Sequence, residues 1–308
     1  MKIGYFGDGP WAVRALELLR DENNITIDFI VGRYGSVDPS LENMARNLNI
    51  PFFCPPKVNA QDFLKTISTF QSDLNVSMSY DQIIKPELIN LCPEGFVNCH
   101  AGALPFYRGR NILNWVLING EDKFGVTLHY IDEGIDTGDI IEQRFSSIGK
   151  DDTYYDILEI AHELCAETLL TGLRKIRDKQ VKPIKQSSIH PVGFYCGRRK
   201  VGDENVDWNW TSERIHNFVR GISSPGPCAR AKIKSDDIAI VRTRLILGVP
   251  SYMGTPGEII GKNNEGVIIK TGDTTLQILE YAHINKQQQP EKILKPTWPI
   301  GTRIDSKN

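Results

Sequence analysis

Along the first hundred residues the apolar and polar positions fall in blocks whose period switches between that of a strand and that of a helix. Residues 2–6 form an apolar run of strand length, residues 11–20 have the three-to-four spacing of an amphipathic helix, residues 25–31 read as a second strand and residues 39–49 as a second helix. The series continues with a short segment near Phe52, a helix at 60–70, a strand at 74–79, a helix at 86–91 and a strand that ends at His100. This alternation predicts an α/β fold: a Rossmann-like, mostly parallel, doubly wound sheet with right-handed crossovers. Sites in such sheets lie at the carboxyl ends of strands. Gly7-Asp8-Gly9, Ser79-Tyr80-Asp81 and His100 all fall there.

Beyond His100 the pattern predicts a helix at 111–119, a strand at 124–131 and a long helix at 154–177. Residues 179–200 are rich in Pro, Lys, Ser and Gly and read as a linker. A helix at 212–220 then precedes short β-like runs at 238–247, 258–260, 266–270 and 275–279, separated by Gly and Asn turns. The expected organisation is a Rossmann-like domain over residues 1–200, its last part the linker, and a small OB-like β-barrel over residues 201–308.

Composition narrows the classes. A 308-residue chain that is 40% hydrophobic and 24% charged is an ordinary globular protein, long enough for two cores. Its formal charge of -2 gives no global electrostatic case for nucleic acid or an anionic membrane. The six cysteines are scattered without C-x-x-C spacing, and Met1-Lys2-Ile3-Gly4 leads directly into a strand pattern. No apolar run nears the roughly 18 residues of a membrane span. A cytoplasmic protein with reduced thiols is expected.

Chemistry concentrates around residues 98–110. Side chains alternate along a strand, so Asn98 and His100 share a face, above a loop punctuated by Gly102, Pro105 and Gly109. One is a neutral amide, the other the side chain that titrates nearest physiological pH. Farther on, Asp132, Glu133, Asp136 and Asp139 occupy one loop, and Asp136, between Ile135 and a Thr-Gly pair, is the carboxylate expected to turn inward. Two other motifs carry less. Gly7-Asp8-Gly9-Pro10-Trp11-Ala12 fits a dinucleotide fingerprint in form, but the second strand ends in Arg33 instead of an acid and Pro10 has no amide hydrogen. His162-Glu163-Leu164-Cys165-Ala166 lacks the second histidine of a zinc motif, so no metal is expected.

Several linked segments in order carry a resemblance. They are Asn98-x-His100, the Ala103-Leu104-Pro105-x-Tyr107-Arg108-Gly109 loop, Gly125-Val126-Thr127-x-His129 and Asp136-Thr137-Gly138-Asp139-Ile140-Ile141. Over nearly the whole chain the sequence resembles the N10-formyltetrahydrofolate-dependent formyltransferases. The likeness implies Asn98, His100 and Asp136 as the catalytic trio, with no metal. It also implies a pterin seated against Tyr80, Gln82, Ile83, Ile84, Ile131 and Asp132, and an acceptor met by Gly9, Trp11, Tyr107, Arg108 and Arg199. The loop departs from the family pattern, in which a serine is usual, at Ala101-Gly102.

Within that family, Tyr107-Arg108-Gly109-Arg110, Asn114-Trp115, Cys196-Gly197-Arg198-Arg199, Val206-Asp207-Trp208 and Ile215-His216-Asn217-x-Val219-Arg220 resemble the domain that formylates UDP-4-amino-4-deoxy-L-arabinose. With the charge of -2 this makes a nucleotide-linked amino sugar of polysaccharide biosynthesis the expected acceptor, and a homodimer without nucleic-acid or membrane partners the expected state. The alternative is a methionyl-tRNA formyltransferase, with a local basic patch at Arg174-Lys175-x-Arg177 or Arg198-Arg199-Lys200. A non-catalytic or NAD-binding Rossmann protein is a more distant reading.

Overall fold

The computed structural model describes residues 1–35 and 39–306. In chain order the elements are β1 (Lys2–Gly7), α1 (Gly9–Arg20), β2 (Thr26–Val31), α2 (Pro39–Asn47), β3 (Phe52–Phe53), α3 (Gln61–Ser68), β4 (Leu74–Met78), α4 (Pro86–Ile89), β5 (Phe96–His100), β6 (Arg108–Gly109), α5 (Ile112–Ile118), β7 (Lys123–Tyr130), β8 (Ile140–Ser147), α6 (Tyr154–Arg177), α7 (Gln186–Ile189) and β9 (Tyr195–Cys196). There follow α8 (Ser212–Gly221), β10 (Ala229–Ile233), β11 (Asp236–Leu245), β12 (Ile259–Lys262), β13 (Val267–Lys270), β14 (Thr275–Ile284), β15 (Pro290–Leu294) and β16 (Ile304–Ser306).

Two compact units emerge. The first comprises Met1–Ile112, Phe124–Ser146 and Glu159–Cys196; the second comprises Leu113–Lys123, Ser147–Leu158 and Gly197–Asn308. The first holds a seven-stranded sheet in the order β3-β2-β1-β4-β5-β7-β8. Strands β1 to β5 pair in parallel, and β7 runs antiparallel to β5. All five residues of β4 are buried, as expected of a parallel strand covered on both faces. Phe6, Phe29, Val31, Leu64, Ile67 and Phe96 pack one side of the sheet. The sheet is therefore the mostly parallel, Rossmann-like one that the alternation implies.

Residues 179–200, read from composition as a linker, hold α7 and β9. Strand β9 pairs in parallel with β6, Arg108 opposite Tyr195 and Gly109 opposite Cys196. Too few apolar residues mark these short elements for a periodicity argument to find them. Their order comes from pairing with distant chain.

The second unit is a curled antiparallel sheet in the order β12-β13-β14-β11-β10-β16, with β15 also on β14. The ends of the two outer strands are joined where Ile259 N donates to Thr302 O (2.9 Å) and Ile304 N donates to Gly257 O (2.9 Å), which closes the curl toward a barrel. Ile215, Phe218 and Val219 of α8 fill its core with Trp208, Ile240, Ile269 and Ile278. The buried Arg220 guanidinium donates from Nη1 to the carbonyls of Gly149 (3.1 Å) and Asp152 (3.0 Å), and from Nε to Asn217 Oδ1 (2.9 Å). Arg220→Ala would strand those acceptors. It should destabilise the protein by roughly 3 kcal/mol, seen as a lower urea midpoint.

Candidate active site

Strands β5 and β7 build the site between them. Their antiparallel register sets Asn98 directly opposite His129 and His100 opposite Thr127, so four polar side chains stand in two facing pairs. His129 Nδ1 donates to the Tyr130 carbonyl at 2.7 Å, which leaves Nε2 to accept from Asn98 Nδ2 at 3.3 Å. That contact fixes which end of the Asn98 amide is the donor and leaves its second N–H for a ligand. His100 Nε2 lies 2.8 Å from the Tyr107 carbonyl. A carbonyl only accepts, so the proton is on Nε2 and Nδ1 is the nitrogen turned toward Asp136.

Asp136 enters from the loop between β7 and β8 in a left-handed conformation (φ 55°), which an aspartate tolerates better than most residues. Its Oδ2 accepts from the Gly109 amide at 2.9 Å and lies 3.7 Å from His100 Nδ1, while Oδ1 lies 3.7 Å from His129 Nε2. Burial pushes this carboxyl up. The His100 charge, His129 and the Gly109 amide outweigh it and hold Asp136 well below the usual carboxylate range. The structure thus brings Asn98, His100 and Asp136 together, with His129 as a fourth member.

The loop after β5 is pinned from beneath. Thr127 Oγ1 donates to Gly102 O (2.7 Å) and accepts from the Leu104 amide (3.3 Å), and Gln143 Nε2 reaches both Thr127 Oγ1 (2.8 Å) and Leu104 O (3.0 Å). Gly102 is where the loop crosses His100. A Cβ there would sit 2.4 Å from Tyr107 O and 2.5 Å from His100 Nε2, inside the hydrogen bond that orients the ring. Glycine at position 102 is therefore required by close approach.

The residues expected to bind ligands are placed less uniformly. Gln82 accepts from the Val58 amide (2.9 Å) and donates to Pro55 O (3.0 Å), tying its loop to the one after β3. Ile83 stays exposed, Ile84 and Ile131 pack on the apolar core, and the Tyr80 ring meets Phe6 edge-on at 5.7 Å with its hydroxyl buried and unpaired. Asp132 Oδ1 is taken by Thr137 Oγ1 (2.5 Å) and the Gly134 amide (3.1 Å). Gly9 and Trp11 open α1, with Trp11 edge-on to His162 at 4.4 Å. Tyr107 packs against Phe194 at 4.8 Å. Arg108 is buried and donates to Gln186 Oε1 from Nε (3.0 Å) and Nη2 (2.6 Å). Arg199 lies in the second unit.

Sequence reasoning passed over Gln186, and gave Thr127, Arg33 and His129 no role in the site. Thr127 and His129 show the alternation of Asn98 and His100, and the missing piece was the antiparallel register. Arg33 donates to the Ser79 carbonyl (2.8 Å) and pairs with Asp8 (3.3 Å), joining the ends of β1, β2 and β4. Among the described residues no cluster of three or more His, Cys, Asp or Glu is placed to hold a metal, and no helix is long and apolar enough to cross a membrane.

A strand-borne amide and imidazole beside a buried carboxylate suit proton-coupled acyl transfer. Residues 33–173 match the family described as formyl transferase, and residues 199–295 match its C-terminal domain. The chain is 31% identical to a methionyl-tRNA formyltransferase of Thermodesulfovibrio yellowstonii, an alignment covering 90% of this chain and 89% of that one. The chain belongs to the formyl transferase family. A second methionyl-tRNA formyltransferase, from Alkaliphilus oremlandii, is 30% identical with 100% and 99% covered. In fold, this formyltransferase is similar to the solved structure of WlaRD, a sugar 3N-formyl transferase (TM-score 0.68, 24% identity, 93% and 98% covered). It is also similar to an N-formyltransferase from Helicobacter canadensis (TM-score 0.66, 22% identity, 90% and 99% covered).

These relatives correct the expected acceptor and partners. The nearly full-length similarity at about 30% identity is to enzymes of methionyl-tRNA, against the expectation of a nucleotide-linked amino sugar and no nucleic acid. The physical reason lies in what the quoted motifs do. Arg108 supports Gln186, Asn114 Nδ2 donates to Gly221 O (2.7 Å), Trp115 Nε1 donates to Gly197 O (2.9 Å), Trp208 is core and Arg220 braces residues 149–152. They build the fold and carry no information on the acceptor. Whole-chain charge is likewise silent on the acceptor, because a sum over the chain does not describe any local surface.

Gly102→Ala should leave the protein folded but displace the His100 ring or the Tyr107 carbonyl. Formyl transfer should then fall by about 10²-fold, the usual cost of misplacing a reacting group by an ångström. Asp136 gives a pH prediction. Its folded carboxyl titrates below its unfolded value of about 4, so its stabilisation is present above that pH and is lost as pH falls through the folded value. The stability advantage of the parent over Asp136→Asn, from urea unfolding, should therefore be constant from pH 7 to 5 and shrink below about pH 4.

Proposed function

We propose that this formyltransferase moves a formyl group from N10-formyltetrahydrofolate to the α-amino group of methionyl-tRNA. The similarity at about 30% identity over nearly the whole chain to methionyl-tRNA formyltransferases carries this reading. The amine nitrogen attacks the formyl carbon, a tetrahedral oxyanion forms, and the carbon–N10 bond breaks as N10 gains a proton. The free Asn98 N–H donates to the oxyanion, a contribution worth about 3 kcal/mol in comparable sites. His100 takes the amine's proton at Nδ1, the nitrogen left open by the Tyr107 carbonyl, and the resulting imidazolium, which lies against Asp136, returns that proton to N10 as the carbon–N10 bond breaks. Tyr80, Gln82, Ile83, Ile84, Ile131 and Asp132 line the pterin, chiefly through backbone groups, since Gln82 and Asp132 spend their side chains on their own loops.

For tRNA, local charge matters more than the sum. Arg174 and Arg177 both pair with Glu22, and Lys175 with Glu142, so that run offers little to a phosphate. Exposed Arg198 and Lys200, and Lys286, Lys292 and Lys295 around β15, remain as positive positions in the second unit.

Purified protein with formyltetrahydrofolate should formylate methionyl-tRNA, detected as formylmethionine after deacylation, and the apparent affinity for tRNA should fall steeply between 50 and 200 mM salt. Absence of formylmethionine at high enzyme concentration would overturn the acceptor assignment.

A further inference from the structure

Asp136 is positioned through its backbone as well as its carboxylate. Gln186 of α7 donates from Nε2 to Asp136 O (2.9 Å) and to Gly138 O (2.8 Å), holding the backbone at the residue and just after it. Its Oε1 receives the two Arg108 donors at 3.0 and 2.6 Å, which fixes which end of the amide faces the loop. Gln186 is 3% exposed and Arg108 8% exposed, so neither contact competes with bulk water. Arg108 is in turn held by the Val192 carbonyl (3.2 Å) and lies over the Tyr195 ring at 5.3 Å.

The same returning segment governs the other side of Asp136. Gly109, whose amide binds the carboxylate, has φ 98° and lies so close to β9 that a Cβ would come within 2.4 Å of Cys196 O. The β6–β9 pair thus aims the Gly109 amide while Gln186 holds the Asp136 backbone, whose left-handed conformation needs outside support.

We infer that Gln186 is a positioning residue of this enzyme: through the Arg108–Gln186–Asp136 chain, residues 186–196 hold the Asp136 carboxylate between His100 and His129. The inference rests on the assignment of Asp136 to the reaction, and is independent of which amine accepts the formyl group.

The groups facing the Asp136 carboxylate are His100 from β5, His129 from β7 and the Gly109 amide from β6. A released Asp136 would lose their combined hold, so the test is the pH dependence of folding stability. Urea unfolding is measured from pH 7 to 3 for the parent, Gln186→Met, Asp136→Asn and the double variant. Methionine keeps the length and bulk of Gln186. Arg108→Met with Gln186→Met is run alongside, so that no buried guanidinium is left without its partner.

The expected result is that Gln186→Met flattens the acid-linked loss of stability as Asp136→Asn does, and that the double variant is no flatter than Asp136→Asn. In formyl transfer, kcat should drop by about tenfold or more with KM for the donor little changed. A uniform loss of stability at every pH, with the acid-linked part intact, would show Gln186 to be structural only and would overturn the inference. Because unfolding needs no acceptor, failure of this test is distinct from failure to formylate methionyl-tRNA.

Discussion

A single buried carboxylate organises the site. Asp136 is kept ionised inside the protein by the Gly109 amide, which donates to it, and by the His100 and His129 rings beside it when they carry a second proton, and each of those groups comes from a different strand. Removing water from a charge is expensive unless partners replace it. The β5–β7 register, the β6–β9 pair and the Gly109 conformation can all be read as the geometry that supplies those partners.

The same constraint explains the division of labour between the two histidines. Both use one ring nitrogen on a backbone carbonyl, but at opposite positions: Nε2 in His100 and Nδ1 in His129. The open nitrogen of His129 faces the Asn98 amide, and the open nitrogen of His100 faces Asp136. In the proposed reaction one histidine therefore orients an oxyanion donor, and the other is left to move a proton. Neither role follows from residue type alone. Both follow from which carbonyl each ring meets.

Much of this was legible in the sequence, and the reasons differ residue by residue. Alternation along one strand put Asn98 and His100 on a common face, and the setting of Asp136 between Ile135 and Thr137-Gly138 singled it out from the solvated carboxylates beside it. Period switching similarly exposed the mostly parallel sheet. What stayed hidden depends on long-range pairing. Thr127 and His129 needed the antiparallel register, Gly102 needed the crossing of its loop over His100, and Gln186 sat in a stretch whose composition resembles a linker. Arg108, expected from the resemblance to meet the acceptor, is buried behind the loop after β5 with its guanidinium on Gln186.

The central claim is that Asp136 acts through His100, and a double-mutant cycle on the chemical step tests it directly. Single-turnover formyl transfer is measured for the parent, His100→Ala, Asp136→Asn and the double variant. If the carboxylate works only by holding and stabilising the imidazole, adding Asp136→Asn to His100→Ala should slow the reaction little further, as residues acting as a unit are strongly non-additive. Full multiplicative loss in the double variant would contradict the account, because Asp136 would then be acting on the reactants by a route that bypasses His100.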